Sequence, residues 1–158
     1  MDNYIFNSLL LIGGVYGIVF LYVYQAWQKC KINLKSTAVD YFNKNHLILS
    51  FSLSVNNQSN KQLFIEDTRL YVYINSIKAA KIFIPYTTVI LPNSDNTVLL
   101  TTDINWKSDL KDLWQSLITQ ALTSANIMIA GKVKINGFFV PIPQISVTQI
   151  NLLDYLKK

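Results

Sequence analysis

Few side chains in this sequence could carry chemistry. His46 is its one histidine and Cys30 its one cysteine. A His-rich or Cys-rich metal site is therefore excluded, as are an intrachain disulfide and a Cys–His nucleophile pair within one domain. None of the serines lies in a Gly-x-Ser-x-Gly turn, and His46, between Asn45 and Leu47 at a strand start, reads as a surface residue without triad partners. Glu66 and Asp67 are adjacent acids, but neighbours on a strand point to opposite faces, whereas a glycosidase needs two carboxylates converging on one bond. They are expected at a solvated strand entrance facing Arg69. Gly131 and Gly137 stand in hairpin contexts, so no glycine-rich phosphate loop is present. The sequence offers no catalytic residues, no metal site and no cofactor site, and the chain is expected not to be an enzyme.

The elements that surround these residues say more. From Asn3 to Gln28, "NYIFNSLLLIGGVYGIVFLYVYQAWQ", no residue is charged. As a helix, Tyr4 to Trp27 would rise roughly 35 Å, enough to cross a hydrocarbon core of ~30 Å. Tyr4 stands at one end and Tyr22, Tyr24 and Trp27 at the other, where aromatic rings suit the headgroup level. Gly13 and Gly17 have the spacing that lets two membrane helices approach. A cleavable signal would need a basic segment before the apolar run, and Asp2 opposes it. A retained transmembrane anchor is the expectation. Lys29, Lys31 and Lys35 follow it, which places the C-terminal domain on the cytoplasmic side and next to anionic headgroups. Cys30, at this boundary, is positioned for palmitoylation and has no other support for it.

Beyond the anchor the pattern has a period of two. Leu47, Leu49, Phe51, Leu53 and Val55 alternate with polar positions, as do Leu70, Val72 and Ile74 with Tyr71 and Tyr73. Asn75-Ser76 predicts a turn into "KAAKIFIP", which Pro85 closes. "LPNSDN" predicts a loop, and Val98, Leu100, Thr102 and Ile104 share one strand face. Asn136-Gly137 between "IMIAGKVKI" and "FFVPIP" is a type I′ hairpin signal, and "QISVTQINLLDYL" supplies a last strand. One segment is helical instead: over 106–126 the apolar residues Leu110, Leu113, Trp114, Leu117, Ile118, Ala121 and Leu122 follow a helical period, behind the N-cap Ser108. The expected fold is mainly β: an N-terminal transmembrane helix (1–28), a stalk (29–36) and a seven-stranded antiparallel, immunoglobulin-like β-sandwich with one amphipathic helix (37–158).

The order of these features resembles the late embryogenesis abundant type 2 family, also called the water-stress and hypersensitive-response domain. The resemblance rests on Asn56, Asn57 and Asn60 at the corner "NNQSN", on Tyr71–Asn75, and on Gly131–Pro141, and runs from Ile32 to Leu153. The corner departs from the family by lacking its proline. The resemblance implies a seven-stranded sandwich with a helix at one side, a non-enzymatic protective or interaction role, and membrane tethering, which in many bacterial members is by a lipid.

The expected function is a non-enzymatic, membrane-anchored structural or interaction module. Tyr71, Tyr73, Phe138 and Phe139 are the expected partner face, for a capsid or envelope component, a second copy of the chain, or the lipid surface. The single arginine among 14 basic residues, with abundant asparagine, suggests an AT-rich genome and hence a rival role in the virion membrane of a phage, against its capsid shell. A sandwich holding a lipid or hydrophobic ligand is the second rival. The net charge of +5 is scattered, with Lys132 and Lys134 the one same-face pair beyond the anchor, so no specific nucleic-acid binding is expected. Asn57-Gln58-Ser59 fits the glycan-acceptor pattern, but flanked by alternating strands it reads as a corner whose asparagines cap backbone groups.

Overall fold

The uncharged N-terminal segment forms one 26-residue helix, α1 (Asn3–Gln28), and nine strands follow it in the computed structural model. The structure describes residues 3–43, 45–105 and 125–150, with side chains for 13–43, 45–105 and 126–147. The amphipathic helix expected over 106–126 falls almost wholly outside these residues. Among the described residues no helix is long and apolar enough to cross a membrane; the side chains of residues 1–12, which contribute to the apolar run, lie outside them. The expectation of a transmembrane helix is therefore met only as far as the helix itself.

The strands are β1 (Cys30–Phe42), β2 (His46–Asn57), β3 (Leu63–Ile74), β4 (Ile77–Ile82), β5 (Thr88–Ile90), β6 (Ser94–Asn105), β7 (Ala125–Ile135), β8 (Phe138–Pro141) and β9 (Ile145–Ile150). The count exceeds the seven expected, because two positions in one sheet are each filled by two short strands. One sheet has the order β1-β2-β6. In the other, β3 and β7 pair at the centre, β4 and β5 share the outer side of β3, and β8 and β9 share that of β7. All pairs are antiparallel. A bridge from Phe83 to Thr101 ties the two sheets at one corner.

Period-two alternation builds the core directly. Leu47, Leu49, Phe51, Leu53 and Val55 of β2 face inward with Val98, Leu100, Thr102 and Ile104 of β6. Leu70, Val72 and Ile74 of β3 and Ile127, Ile129, Val133 and Ile135 of β7 meet them from the other sheet in one apolar cluster. Two buried hydroxyls on these faces are satisfied by the β4 backbone: Thr68 Oγ1 donates to Ile82 O at 2.5 Å and Thr102 Oγ1 to Lys81 O at 2.9 Å. Burying them unpaired would cost about 1–3 kcal/mol each.

Two expectations shift. Most of the passage 29–36, read as a stalk, is the first half of β1. Its alternation is hidden by two register shifts, at Leu34/Ser36 and Val39/Tyr41, each of which flips the facing residue. The loop "LPNSDN" is shorter than expected, since β6 begins at Ser94.

The turn chemistry holds. Asn136 (φ 46°) and Gly137 (φ 88°) are both left-handed, as a type I′ hairpin requires, and so are Asn75 and Ser76. Gly131 is more constrained. At φ 142° it faces Leu70, and a Cβ there would lie 2.2 Å from the Arg69 carbonyl oxygen. Gly131→Ala is expected to lose on the order of 3 kcal/mol in urea unfolding. Gly137→Ala, with open space around its Cβ, should lose about 1 kcal/mol. Equal losses would contradict the close approach at Gly131.

Candidate functional site

A single residue, Lys29, separates α1 from the sandwich: α1 ends at Gln28 and β1 begins at Cys30. The last turns of the helix enter one end of the sandwich, where Val23, Ala26 and Trp27 are buried in the common core. The Trp27 indole Nε1–H donates to Pro141 O at 3.2 Å. One turn earlier Tyr24 stacks on Phe20, and Phe20 meets Phe138 edge to face at 5.5 Å between ring centres. Lys61 Nζ lies 4.9 Å from the centre of the Tyr22 ring, close enough for a cation–π contact. Farther from the core, Val15, Tyr16 and Val19 face Asn136, Gly137 and Phe138 across a groove of about 510 Å³.

The expected anchor residues thus have unlike fates. Tyr4 lies outside the described side chains. Gly13 and Gly17 have open space where a Cβ would stand. Tyr22 is exposed and Tyr24 half-buried, but Trp27, expected at a membrane boundary, is 4% exposed inside the sandwich. An aromatic at the end of an apolar helix has the same sequence signature in both places.

Lys29 and Lys31 are exposed at this end, and Lys35 is exposed farther along β1, opposite the middle of β2. Cys30, between the first two, is half-buried, its Sγ 3.7 Å from Ala26 O and from Asn57 Oδ1. Burial pushes its thiol from 9.0 up to about 11, because desolvation disfavours the thiolate. At pH 8 the thiolate fraction should be about 100-fold below that of a free cysteine. Alkylation of the folded chain by iodoacetamide is expected to be slowed at least to that extent and restored in urea; rapid modification of the native protein would contradict it. The same burial speaks against ready palmitoylation.

The corner "NNQSN" closes the end where α1 enters. Asn57 is fully buried and Ser59 is 4% exposed. Asn57 Nδ2 donates to Lys61 O (2.7 Å) and Leu91 O (3.1 Å), while its Oδ1 accepts from Ser59 N (3.0 Å) and Ser59 Oγ (2.7 Å). A glycan acceptor needs an accessible amide, so the acceptor pattern here is architectural.

The other candidates are dispersed. His46 Nδ1 lies 3.1 Å from Asp103 Oδ1, on the surface. Glu66 pairs with Lys134 at 3.3 Å, and Asp67 Oδ1 accepts from Thr68 N. The expected facing of Arg69 is replaced: its guanidinium lies 3.9 Å from the centre of the Phe139 ring. Among the described residues no three His, Cys, Asp or Glu side chains could hold a metal ion.

The expected partner face does not form as drawn. Tyr71, Tyr73 and Phe139 lie on the outer face, half-buried, and Lys78 Nζ covers the Tyr71 ring at 3.4 Å. Phe138 pairs with inward-facing Ile135 and turns toward α1. Adjacent strand residues face opposite ways, so Phe138 and Phe139 were never able to share a face.

These features define a class: a mainly β, antiparallel, two-sheet domain with an N-terminal helix set into one end. No family profile matches the sequence, and no curated protein does. Among solved structures, the chain is similar to a protein from Archaeoglobus fulgidus, with TM-score 0.53 and 14% identity over 75% of this chain and 98% of that one. It is also similar to a structural-genomics target, SoR45, with TM-score 0.51 and 11% identity over 78% and 89% of the two chains. Those likenesses show the fold alone. A solution structure described as a late embryogenesis abundant protein aligns over 89% of this chain and 90% of its own, at 8% identity and TM-score 0.34. That similarity is too low to carry the family's properties across.

Proposed function

We propose that this chain is a membrane-anchored, non-enzymatic structural or interaction module, with α1 as its anchor. One observation carries the reading. Val15, Tyr16, Ile18, Val19, Phe20, Leu21 and Tyr22 are all exposed, and at ~100° per residue they pass all the way around the helix. A helix that is apolar on every side is unstable against water and must be covered. Bilayer lipid covers all sides at once, and the absence of charge from Asn3 to Gln28 suits it. The exposed lysines at the sandwich end fit an anionic headgroup layer.

The sandwich would then act as a platform held against the membrane. Among the described residues the interior favours this over ligand storage: a cavity beside Trp27, Leu53, Val55 and Leu100 measures about 20 Å³, room for one water and not for a lipid chain. Alkaline carbonate extraction of membranes from expressing cells tests the anchor. The full chain should stay in the pellet and leave only with detergent, and Ile18→Lys with Leu21→Lys should release it. Release of the unmodified chain by carbonate would overturn the reading.

A further inference from the structure

The end of the sandwich that receives α1 carries more than the helix. The β7–β8 hairpin tip, Asn136–Phe138, lies beside α1 as far back as Val15. Next to the tip, Phe64 of β3 and Val89 of β5 form a cross-strand pair, exposed at 37% and 42%. Leu91, one residue past β5, is 52% exposed at the same end, beside the corner. Lys29 and Lys31 at the start of β1, and Lys61 beside Tyr22, belong to the same end of the sandwich.

We propose that this apolar end, with Phe64, Val89 and the hairpin tip at its centre, is seated in the headgroup and upper acyl layer of the bilayer; the proposal rests on the anchored reading of α1. Helix position is the first argument. The hairpin tip lies level with Val15, Tyr16 and Val19, while the exposed apolar residues of α1 continue to Leu21 and Tyr22. A bilayer that covers the apolar helix to Tyr22 must therefore reach past the hairpin tip.

Rigidity is the second argument. Lys29 alone joins α1 to β1, and Lys29 N donates to Ala26 O at 3.2 Å. With Trp27 locked in the core, no stalk can lift the sandwich clear of the surface. The third is polar satisfaction, since backbone groups at membrane depth need internal partners. Asn136 N donates to Phe64 O at 3.1 Å, and Asn136 Oδ1 accepts from Phe64 N at 2.7 Å. Two polar groups of the turn, the Asn136 N–H and Oδ1, are thus satisfied inside the sheet, and Phe138 stands beside them at the tip. Lysines at an apolar end complement anionic headgroups around an acyl layer.

The test uses the full chain carrying Cys30→Ser, reconstituted in vesicles of phosphatidylcholine and phosphatidylglycerol. A nitroxide is placed in turn at Phe64→Cys, Val89→Cys, Ile18→Cys on α1, and Ile77→Cys at the far end of the sandwich. The ratio of oxygen to water-soluble nickel-chelate accessibility is read by electron paramagnetic resonance. At 18, 64 and 89 it should stand several-fold above its value at 77. If 64 and 89 match 77 while 18 is lipid-exposed, the seated end is wrong and the anchor stands. If 18, 64 and 89 all match 77, both fail. Spin–spin broadening at 64 or 89 without oxygen access would identify a second copy on this surface and overturn the lipid contact. The two labels sit on different strands, so misfolding of one variant leaves the other to decide.

Discussion

Trp27→Ala is expected to destabilise the sandwich by about 3–5 kcal/mol, the usual range for removing a large buried aromatic. The residue is formally helical, yet its ring is 4% exposed among residues of both sheets. It borders a small cavity with Leu53, Val55, Ile65, Leu70 and Val133, so truncation enlarges an existing void where the walls cannot collapse freely. It also frees Pro141 O, which accepts from its indole N–H. A graded series separates these effects. Trp27→Phe keeps most of the volume and loses the donor, and should cost about 1–3 kcal/mol. Urea unfolding of the full chain in detergent, followed by circular dichroism of the β signal, gives the stabilities. Tryptic cleavage after Lys29 should also quicken in Trp27→Ala, because the α1–β1 joint loses its inner support. Unchanged stability in both variants would mean that the helix is merely adjacent to the sandwich.

The same residue shows where sequence reading reaches its limit. Strands β2 and β6 were legible because each keeps one face dry for its whole length, so Leu47 to Val55 and Val98 to Ile104 declare their orientation; β3 does so only from Thr68 to Ile74, past the register shift between Ile65 and Asp67. β1 was not, since the bulges at Lys35 and Asp40 reverse its parity twice. β5 spans three residues, too few for any period. Its place is set by pairing with β3, a long-range event. The hairpin at Asn136-Gly137 was legible from backbone chemistry alone, but Phe138 and Phe139 have opposite parity beyond it and do not share one face. Trp27 was ambiguous in principle, because an aromatic closing an apolar helix suits a membrane boundary and a protein core equally. The seated end was invisible. Phe64, Val89, Leu91 and the hairpin tip are far apart in sequence and meet only through the sheet register.

Asn57 gives the second large effect, and Asn56 is its built-in control. The two neighbours are chemically identical and share one strand end, yet parity separates them. Asn56 Nδ2 donates to Asp95 Oδ1 at 2.7 Å in solvent, so Asn56→Ala should change stability by less than about 0.5 kcal/mol. Asn57 is fully buried, and its amide is saturated: Nδ2 makes two donations, and Oδ1 accepts from Ser59 N and Oγ with Cys30 Sγ 3.7 Å away. Asn57→Ala leaves the buried N–H of Ser59 without its acceptor and takes one donor each from the carbonyls of Lys61, which keeps Ser59 Oγ, and Leu91, which keeps Ser94 Oγ and Asn96 Nδ2. With about 1–3 kcal/mol for the one buried group left unpaired, and the cavity left by the side chain, a loss of about 2–3 kcal/mol is expected. Asn57→Asp adds a diagnostic that simple cavity formation would not produce. It keeps the shape and the acceptances from Ser59, but points an oxygen at the two carbonyls that Nδ2 had served. The neutral acid can donate to one of them, whereas the carboxylate would repel both. Burial and those carbonyls raise the folded-state pKa of the new acid above its unfolded value of about 3.9. The sign follows: the unfolded chain releases its proton first, so the variant is most stable below that value and loses stability as pH rises toward the folded pKa. Urea midpoints measured from pH 3.5 to 7 should fall relative to the unmodified chain for Asn57→Asp, and stay parallel to it for Asn57→Ala. A flat difference for the aspartate would mean that water reaches the corner, and that the Asn57 side chain is solvated instead of holding the end of the sandwich shut beneath α1.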